Sequence, residues 1–382
     1  MPRTGRSVLA VWVACLALCA ALASPAAAAP PKLRGMLTGI VSSNVGPPGI
    51  SVLIDRERRP GERRTDFFYA GFADVASGRV PERNEHVRIA SVSKGFSAYL
   101  AVLLAREGSL SLSDTLGSSI PGVLPNAEGV TLRQLLQHTS GLPEYIQAPE
   151  FGEQLNADPA AYLAPRQLTD FVRDDPLEFA PGSDYHYSDT DNIAAGLMEE
   201  EAAGRSYPSL LRGEIFGPLR MGGSSLPRTV AMPRPFMHGY DVEPEKRPED
   251  VSELINPAGA WASGGIVSTP ADLARFVPVY VPTILRASRR LNGAFRPGTS
   301  SPPGPGRNSA GLGIFRYDTR CGDVYGHTGS FPGYRLFVAG DAAGQRSVVF
   351  VVNAQIVPGQ GSQQVAGAIR RAQTQAVCRA LR

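Results

Sequence analysis

Apolar positions along this chain change their period twice. Residues 33–44 repeat at a helical spacing, and 49–55 (GISVLID) and 65–72 (TDFFYAGF) read as strands joined by a polar connection. A helix followed by a hairpin is predicted. From 91 to about 107 the pattern becomes helical, and helical stretches recur at 132–137, 166–173, 189–203 and 207–216 with Gly and Pro between them. After Trp261 a helix is expected near 270–280, then a Pro/Gly/Ser-rich surface loop over 296–308. Strand-like runs at 311–317, 334–339 and 347–353 follow, and a closing helix covers 363–381. Strands lie at both ends of the chain and helices in the middle. The simplest assembly is an α/β chain of the α+β type, with the early hairpin and the late strands in one antiparallel sheet covered by the terminal helices. A mostly helical lobe, about 88–259, is inserted into a sheet lobe of about 32–87 and 260–382.

Composition narrows the class. With 43% hydrophobic and 19% charged residues, the 382-residue chain has enough apolar content to bury a core. Lys plus Arg number 38 against 35 Asp plus Glu, which makes no electrostatic case for nucleic acid or an anionic membrane surface. There is no basic run, no Walker-type glycine loop and no paired CxxC or HExxH. Nucleotide and zinc chemistry are not expected, and no metal or organic cofactor is implied.

The beginning of the chain carries an address. Arg3 and Arg6 precede an apolar run at 8–23, and small residues at 26–29 then meet Pro30 and Pro31. This pattern predicts a secretory signal peptide over 1–29, cut near Ala29. The apolar run is shorter than the roughly 20 residues a spanning helix needs, and Leu18 before Cys19 is bulky for a lipoprotein signal. A secreted protein of the extracellular or cell-wall space is expected, a monomer with no membrane span in the mature chain. Removing the leader leaves Cys321 and Cys378, an even pair that suggests one disulfide in an oxidising compartment. An unstrained bridge would add about 4 kcal/mol in the chain-entropy model. Two unpaired thiols are the alternative.

Candidate chemistry begins at Ser91-Val92-Ser93-Lys94. Positions i and i+3 share a helix face, so Lys94 can set its amine beside the Ser91 hydroxyl as the base that a serine nucleophile needs. Taken alone, Ser91 reads better as a helix N-cap than as a nucleophile. A second element, Tyr187-Ser188-Asp189, precedes a helix, and a third, His327-Thr328-Gly329, lies between Gly326 and Ser330 at the edge of a strand. Two longer segments read Leu-Leu-Gln-His-Thr-Ser-Gly-Leu-Pro ending at Pro143 and Ala-Ser-Gly-Gly-Ile-Val-Ser-Thr-Pro ending at Pro270.

The order S-x-x-K, Y-S-[ND], [KH]-T-G, together with the two longer segments, resembles the serine penicillin-recognising superfamily. The resemblance covers about 32–378 as a single β-lactamase/transpeptidase-like catalytic unit, and is nearest to class C β-lactamases, secreted D-alanyl-D-alanine carboxypeptidases and β-lactamase-like esterases. It implies that Ser91 forms an acyl-enzyme, that Lys94 takes its proton and that Tyr187 passes protons to the leaving group and from water. It also implies an oxyanion hole from the backbone N–H groups of Ser91 and Ser330. His327 would be a polar or cationic wall near the Tyr187 phenol, and Thr328 a donor to the substrate's acid group. The most direct activity is a secreted D-alanyl-D-alanine carboxypeptidase acting on a peptidoglycan stem peptide. The alternatives are an esterase on the same scaffold and a catalytically silent protein that binds a peptide or β-lactam.

Other residues keep two readings. Trp261 either lines the cleft or packs in the core. Arg316 can bind a carboxylate or sit solvated on a strand, and His138 reads as structural. The superfamily usually has Asn where this chain has Asp189. An aspartate can only accept, and at about 4 Å with an effective dielectric near 20 it would attract Lys94 by about 4 kcal/mol before desolvation. That predicts a weakened base, slow amide and β-lactam turnover and a relative preference for activated esters, unless Asp189 is protonated or Asn192 is the true partner.

Overall fold

The run GISVLID opens a strand longer than its apolar core. In the computed structural model, which describes residues 32–59, 61–290, 295–297, 303–355 and 362–382, β1 (Gly49–Arg59) pairs antiparallel with β2 (Glu62–Gly71). The leader over 1–29 and part of the Pro-rich loop lie outside the described residues.

Short β3 (Val87–Arg88) pairs with β6 (Val267–Ser268), and β4 (Tyr240–Asp241) with β5 (Glu249–Asp250). The late strands are β7 (Arg296–Pro297), β8 (Arg307–Ala310), β9 (Phe315–Thr319), β10 (Gly322–Phe331), β11 (Tyr334–Gly340) and β12 (Arg346–Val352). They join the hairpin in one eight-stranded sheet of order β2-β1-β12-β11-β10-β9-β8-β7. β1 meets β12 with Ile50 opposite Val352, so the first and last strands of the chain are neighbours, second and third in the sheet.

Both faces of that sheet are covered, which is why β12 reads as an unbroken apolar run. Val348, Phe350 and Val352 share one core with Ile50, Val52, Ile54 and Phe337, under α1 (Leu33–Val41) and α11 (Ser362–Leu381). Val349 and Val351 belong to the opposite core with Leu53, Leu336 and Val338. This alternation follows from the period-two geometry of a strand. Cys321 and Cys378 are bonded, tying the β9–β10 turn to α11.

The second face is covered by α10 (Pro270–Arg290) and α2 (Ser93–Glu107). Helix α10 continues ten residues past the predicted stop despite Pro278 and Pro282. Each interior proline costs about 3 kcal/mol. Leu273, Phe276, Val277, Tyr280, Val281, Ile284 and Leu285 bury a complete helical stripe against the sheet, and at about 1.5–3 kcal/mol per side chain that outweighs the prolines. The remaining helices are α3 (Leu116–Ser119), α4 (Leu132–Leu136), α5 (Pro149–Ala157), α6 (Pro165–Asp170), α7 (Asp189–Ala203), α8 (Tyr207–Leu210) and α9 (Trp261–Gly264). Sequence reasoning missed α3, α5 and α9.

Two strand expectations need correction. Residues 311–314 are a turn, because Gly313 adopts φ +55° and its N–H bonds to the Leu136 carbonyl at 2.7 Å. The His327 motif is interior to a ten-residue strand rather than at its edge: residues 327–329 pair with β11, just past the stretch, ending at Gly326, that pairs with β9. Among the described residues no helix is long and apolar enough to cross a membrane.

Candidate active site

Helix α2 is buried on nearly every side, which makes a lysine in its first turn exceptional. Lys94 is fully buried, and its Nζ lies 3.3 Å from Ser91 Oγ. The amine also donates to the Ser263 carbonyl at 2.9 Å, forms an ion pair with Asp189, and sits 4.9 Å from the Tyr187 ring centre. Ser91 is in the 3-10 turn Ala90–Val92 ahead of α2, and Val92 is the N-cap. Ser91 is therefore not the helix cap. Ala90, His138 and Trp261 all adopt positive φ, at 50°, 55° and 30°, and backbone strain of this kind collects at sites where geometry is imposed by function.

The longer segments now have physical roles. Ala-Ser-Gly-Gly supplies the Ser263 carbonyl to Lys94, while the Ile266 N–H donates to Ser93 Oγ at 3.3 Å. The segment ending at Pro143 holds the extended stretch that carries Tyr187 and the start of α7. The Pro143 carbonyl accepts from Thr190 Oγ1 at 2.6 Å, Ser140 Oγ donates to Asp191 Oδ1 at 2.5 Å, and His138 Nδ1 lies 2.9 Å from Asp191 Oδ2. The His138 ring packs 4.5 Å from that of Tyr187. Asp191 and Glu144 are the two polar residues here that sequence reasoning missed; the segment pointed to their neighbourhood, but nothing in the spacing singled them out.

Asp189, not Asn192, is the partner of Lys94. Asn192 is buried one turn later with neither amide atom hydrogen-bonded. The Asp189 N–H donates to Glu144 Oε2 at 2.6 Å, and the Ile146 N–H to Glu144 Oε1 at 3.2 Å. Burial, reinforced by the Asp189 charge, pushes the Glu144 carboxyl up to about 8. The Tyr187 hydroxyl is buried, with the Ser91 side chain as its one polar neighbour and no hydrogen bond of good geometry. Burial, then Asp189, drives it well above the usual phenol range, with the Ser91 side chain pulling the other way. Tyr187 is thus a neutral phenol.

The third motif serves by close packing. A Cβ on Gly329 would lie 2.4 Å from the Ile89 carbonyl oxygen, so only glycine lets β10 lie against the turn that carries Ser91. Ser330 then reaches the same cleft as Ser91. Thr328 is buried beside Tyr317. His327 is buried with its ring 6.2 Å from that of Tyr187, and its Nε2 has no partner. Burial first, and then the Lys94 charge, push it down to about 3. Burial thus favours the polar, neutral form of the wall expected at His327 over the cationic one.

The cleft in front of Ser91 measures about 250 Å³. Asp189, Gln154, Asp158, Asn256 and Ser330 line it beside an apolar wall that includes Phe151, Leu155 and Phe331. No lysine or arginine is among its described lining residues. Trp261 is absent from that lining as well: its ring packs against Tyr207, with centroids 4.9 Å apart, and against Gly196 of α7. It is a core residue. Arg316 lies 4.0 Å from Asp323 and over the Phe295 ring, while its neighbour Phe315 faces His327. His186 is directed to Glu178.

With this geometry established, likenesses to known proteins carry weight. Penicillin-binding protein 4* of Bacillus subtilis (strain 168) is 25% identical over 300 residues, 74% of this chain. Protein flp of Staphylococcus aureus (strain COL) is 27% identical over 203 residues, 51% of this chain. The alignments span 64% and 38% of those proteins' own lengths. A D-stereospecific amidohydrolase from Streptomyces sp. superposes with a TM-score of 0.71 at 27% identity, covering 88% of this chain and 97% of the other. The D-amino acid amidase from Ochrobactrum anthropi SV3 in complex with L-phenylalanine amide superposes at 0.74 with 24% identity, over 90% and 97%, a likeness of fold. The family model described as Beta-lactamase matches residues 57–369, and with the S-x-x-K, Y-S-D and H-T-G elements gathered at one cleft, this chain belongs to the beta-lactamase family.

Proposed function

We propose that the protein is a serine hydrolase that acts through an acyl-enzyme on Ser91, with amides of D-configured amino acids, free or at a peptide terminus, as its substrates. The observation that carries this reading is the Ser91 hydroxyl 3.3 Å from the buried Lys94 amine at a cleft. Ser91 Oγ attacks the substrate carbonyl, and its proton passes to the Lys94 amine. As the C–N bond breaks, the Tyr187 phenol gives its proton to the leaving amine and is recharged from Lys94. Water then hydrolyses the ester, with Tyr187 and Lys94 carrying protons in reverse.

The D-alanyl-D-alanine carboxypeptidase reading is the narrower form of this proposal. It requires the site to hold a terminal carboxylate, and with His327 neutral and no lysine or arginine among the described lining residues, neutral donors such as the Ser330 hydroxyl are what meets that charge there. Similarity to penicillin-binding protein 4* favours the carboxypeptidase, and similarity to the Streptomyces amidohydrolase favours the amidase. A secreted location completes the reading, supported by the leader pattern and by the Cys321–Cys378 bond.

Intact-mass measurement after incubation with a penicillin, and with a D-alanyl-D-alanine peptide against its C-terminal amide, tests both levels. Wild type should gain one acyl group that Ser91→Ala does not, with the amide turned over faster than the free acid. The same adduct on Ser91→Ala would remove Ser91 as the nucleophile. Faster cleavage of the free acid would restore the carboxypeptidase.

A further inference from the structure

Helix α7 starts at Asp189 with an N-cap, Ser188, whose side chain makes no capping hydrogen bond. An uncapped helix start leaves backbone N–H groups without partners and carries partial positive charge. The Glu144 carboxyl fills that role from another segment: one oxygen accepts the Asp189 N–H, and the other holds the Tyr145–Gln147 turn through the Ile146 N–H. It therefore fixes the backbone of the residue whose side chain binds Lys94. The ionisable groups around it are Asp189 of α7, Lys94 of α2, Tyr187 ahead of α7 and Tyr145 beside it in sequence. Lys94 is the only cation among them.

We propose that Glu144 is a positioning residue for the Lys94 base, holding Asp189 at the start of α7 and, once ionised, adding a second negative charge that tightens the hold of Lys94 on its proton. The proposal rests on Lys94 acting as the base for Ser91. Burial and the neighbouring Asp189 charge keep the Glu144 proton up to about pH 8, so the second charge appears only on the alkaline side. Below that, Glu144 acts through its hydrogen bond alone.

The test is the pH dependence of acylation between pH 6 and 10, followed by intact mass, for wild type, Glu144→Gln, Glu144→Ala, Asp189→Asn and the Glu144→Gln/Asp189→Asn double variant. Glu144→Gln retains an acceptor for the Asp189 N–H. It should coincide with wild type below pH 7 and acylate about tenfold faster near pH 9, the effect of removing one nearby charge. In the Asp189→Asn background the point of departure should move to lower pH, because the Asp189 charge helps keep Glu144 protonated. Glu144→Ala loses the cap and should acylate more slowly at every pH. A merely structural role would lower the melting temperature of Glu144→Ala but leave the profile of Glu144→Gln superimposed on wild type, and that superposition would overturn the proposal. Absence of any adduct on wild type would overturn both this inference and the acyl-enzyme reading. A normal Ser91 adduct with superimposed profiles would overturn this inference alone.

Discussion

Asp189 and Asp191 stand two residues apart in the first turn of α7, yet one serves a charged region and the other a neutral one. Asp189 faces the Lys94 ammonium. Asp191 is wholly buried between His138 and Ser140, and burial pushes its carboxyl well above the usual range while pushing His138 down to about 3. His327 and Tyr187 belong to the same neutral region. Burial alone penalises every charge. Around Lys94 an opposite charge and the Ser263 carbonyl offset the penalty. Around His327 no carboxylate does, and the neutral forms prevail. A site that moves protons benefits from both, because a base must be able to become an ammonium while the neighbouring phenol must keep its proton until the leaving group takes it.

Removing the cation is the most severe way to break this contrast. Lys94→Ala should reduce acylation by two or more orders of magnitude, the range of general-base loss. It also strands Asp189 at a mostly buried position, for a stability loss of about 3–5 kcal/mol in urea unfolding. Unchanged stability would mean that Asp189 was not paying a burial penalty with Lys94 as its partner. Tyr187→Phe probes the neutral side. It should slow acylation and deacylation by about 100-fold, and it should cost no more than about 1 kcal/mol of stability, because the ring packing against His138 is kept and only the hydroxyl's interaction with the Ser91 side chain is lost. A defect confined to binding would contradict the proton-carrier role.

The smallest effect on turnover is expected at His327. Its folded-state value of about 3 is far below that of an unfolded histidine. As pH falls from about 6.5 toward 3, the unfolded chain takes up a proton that the folded chain refuses, so His327 makes stability decline with acidity by about 1.4 kcal/mol per pH unit. His327→Gln should flatten unfolding free energy across that window and leave the acylation profile from pH 6 to 8 unchanged. An inflection near pH 6.5 that vanishes in the variant would restore a charged histidine.

How well the sequence could be read depended on periodicity. Residues 49–55 and 189–203 carry strong apolar patterns and were placed correctly as strand and helix. Strand β10 was not predicted, since GDVYGHTGSF carries three glycines and few β-formers; tertiary pairing on both sides makes it a strand. The α10 stripe was present in the sequence, but two prolines masked it. In the site, the i, i+3 relation of Ser91 and Lys94 is a local property, and the charge of Asp189 on Lys94 followed from residue type alone. The neutrality of His327, the core location of Trp261 and the contact of Glu144 with α7 are long-range. Each depends on which elements pack against which, and no residue spacing encodes that.

The bare backbone at Gly329 has a consequence for altering specificity. The distance between β10 and the Ser91 turn is set by the want of one carbon atom, with the Ile89 carbonyl oxygen 2.4 Å from where that carbon would be. Position 329 therefore has no tolerance for a library: even alanine would wedge the strand away from Ser91. Ile146, Leu155 and Ile255 line the same cleft from loop and helix segments outside the sheet. Variation in what this enzyme accepts can be sought there, while the spacing of its reacting groups is kept by a position that admits no variation at all.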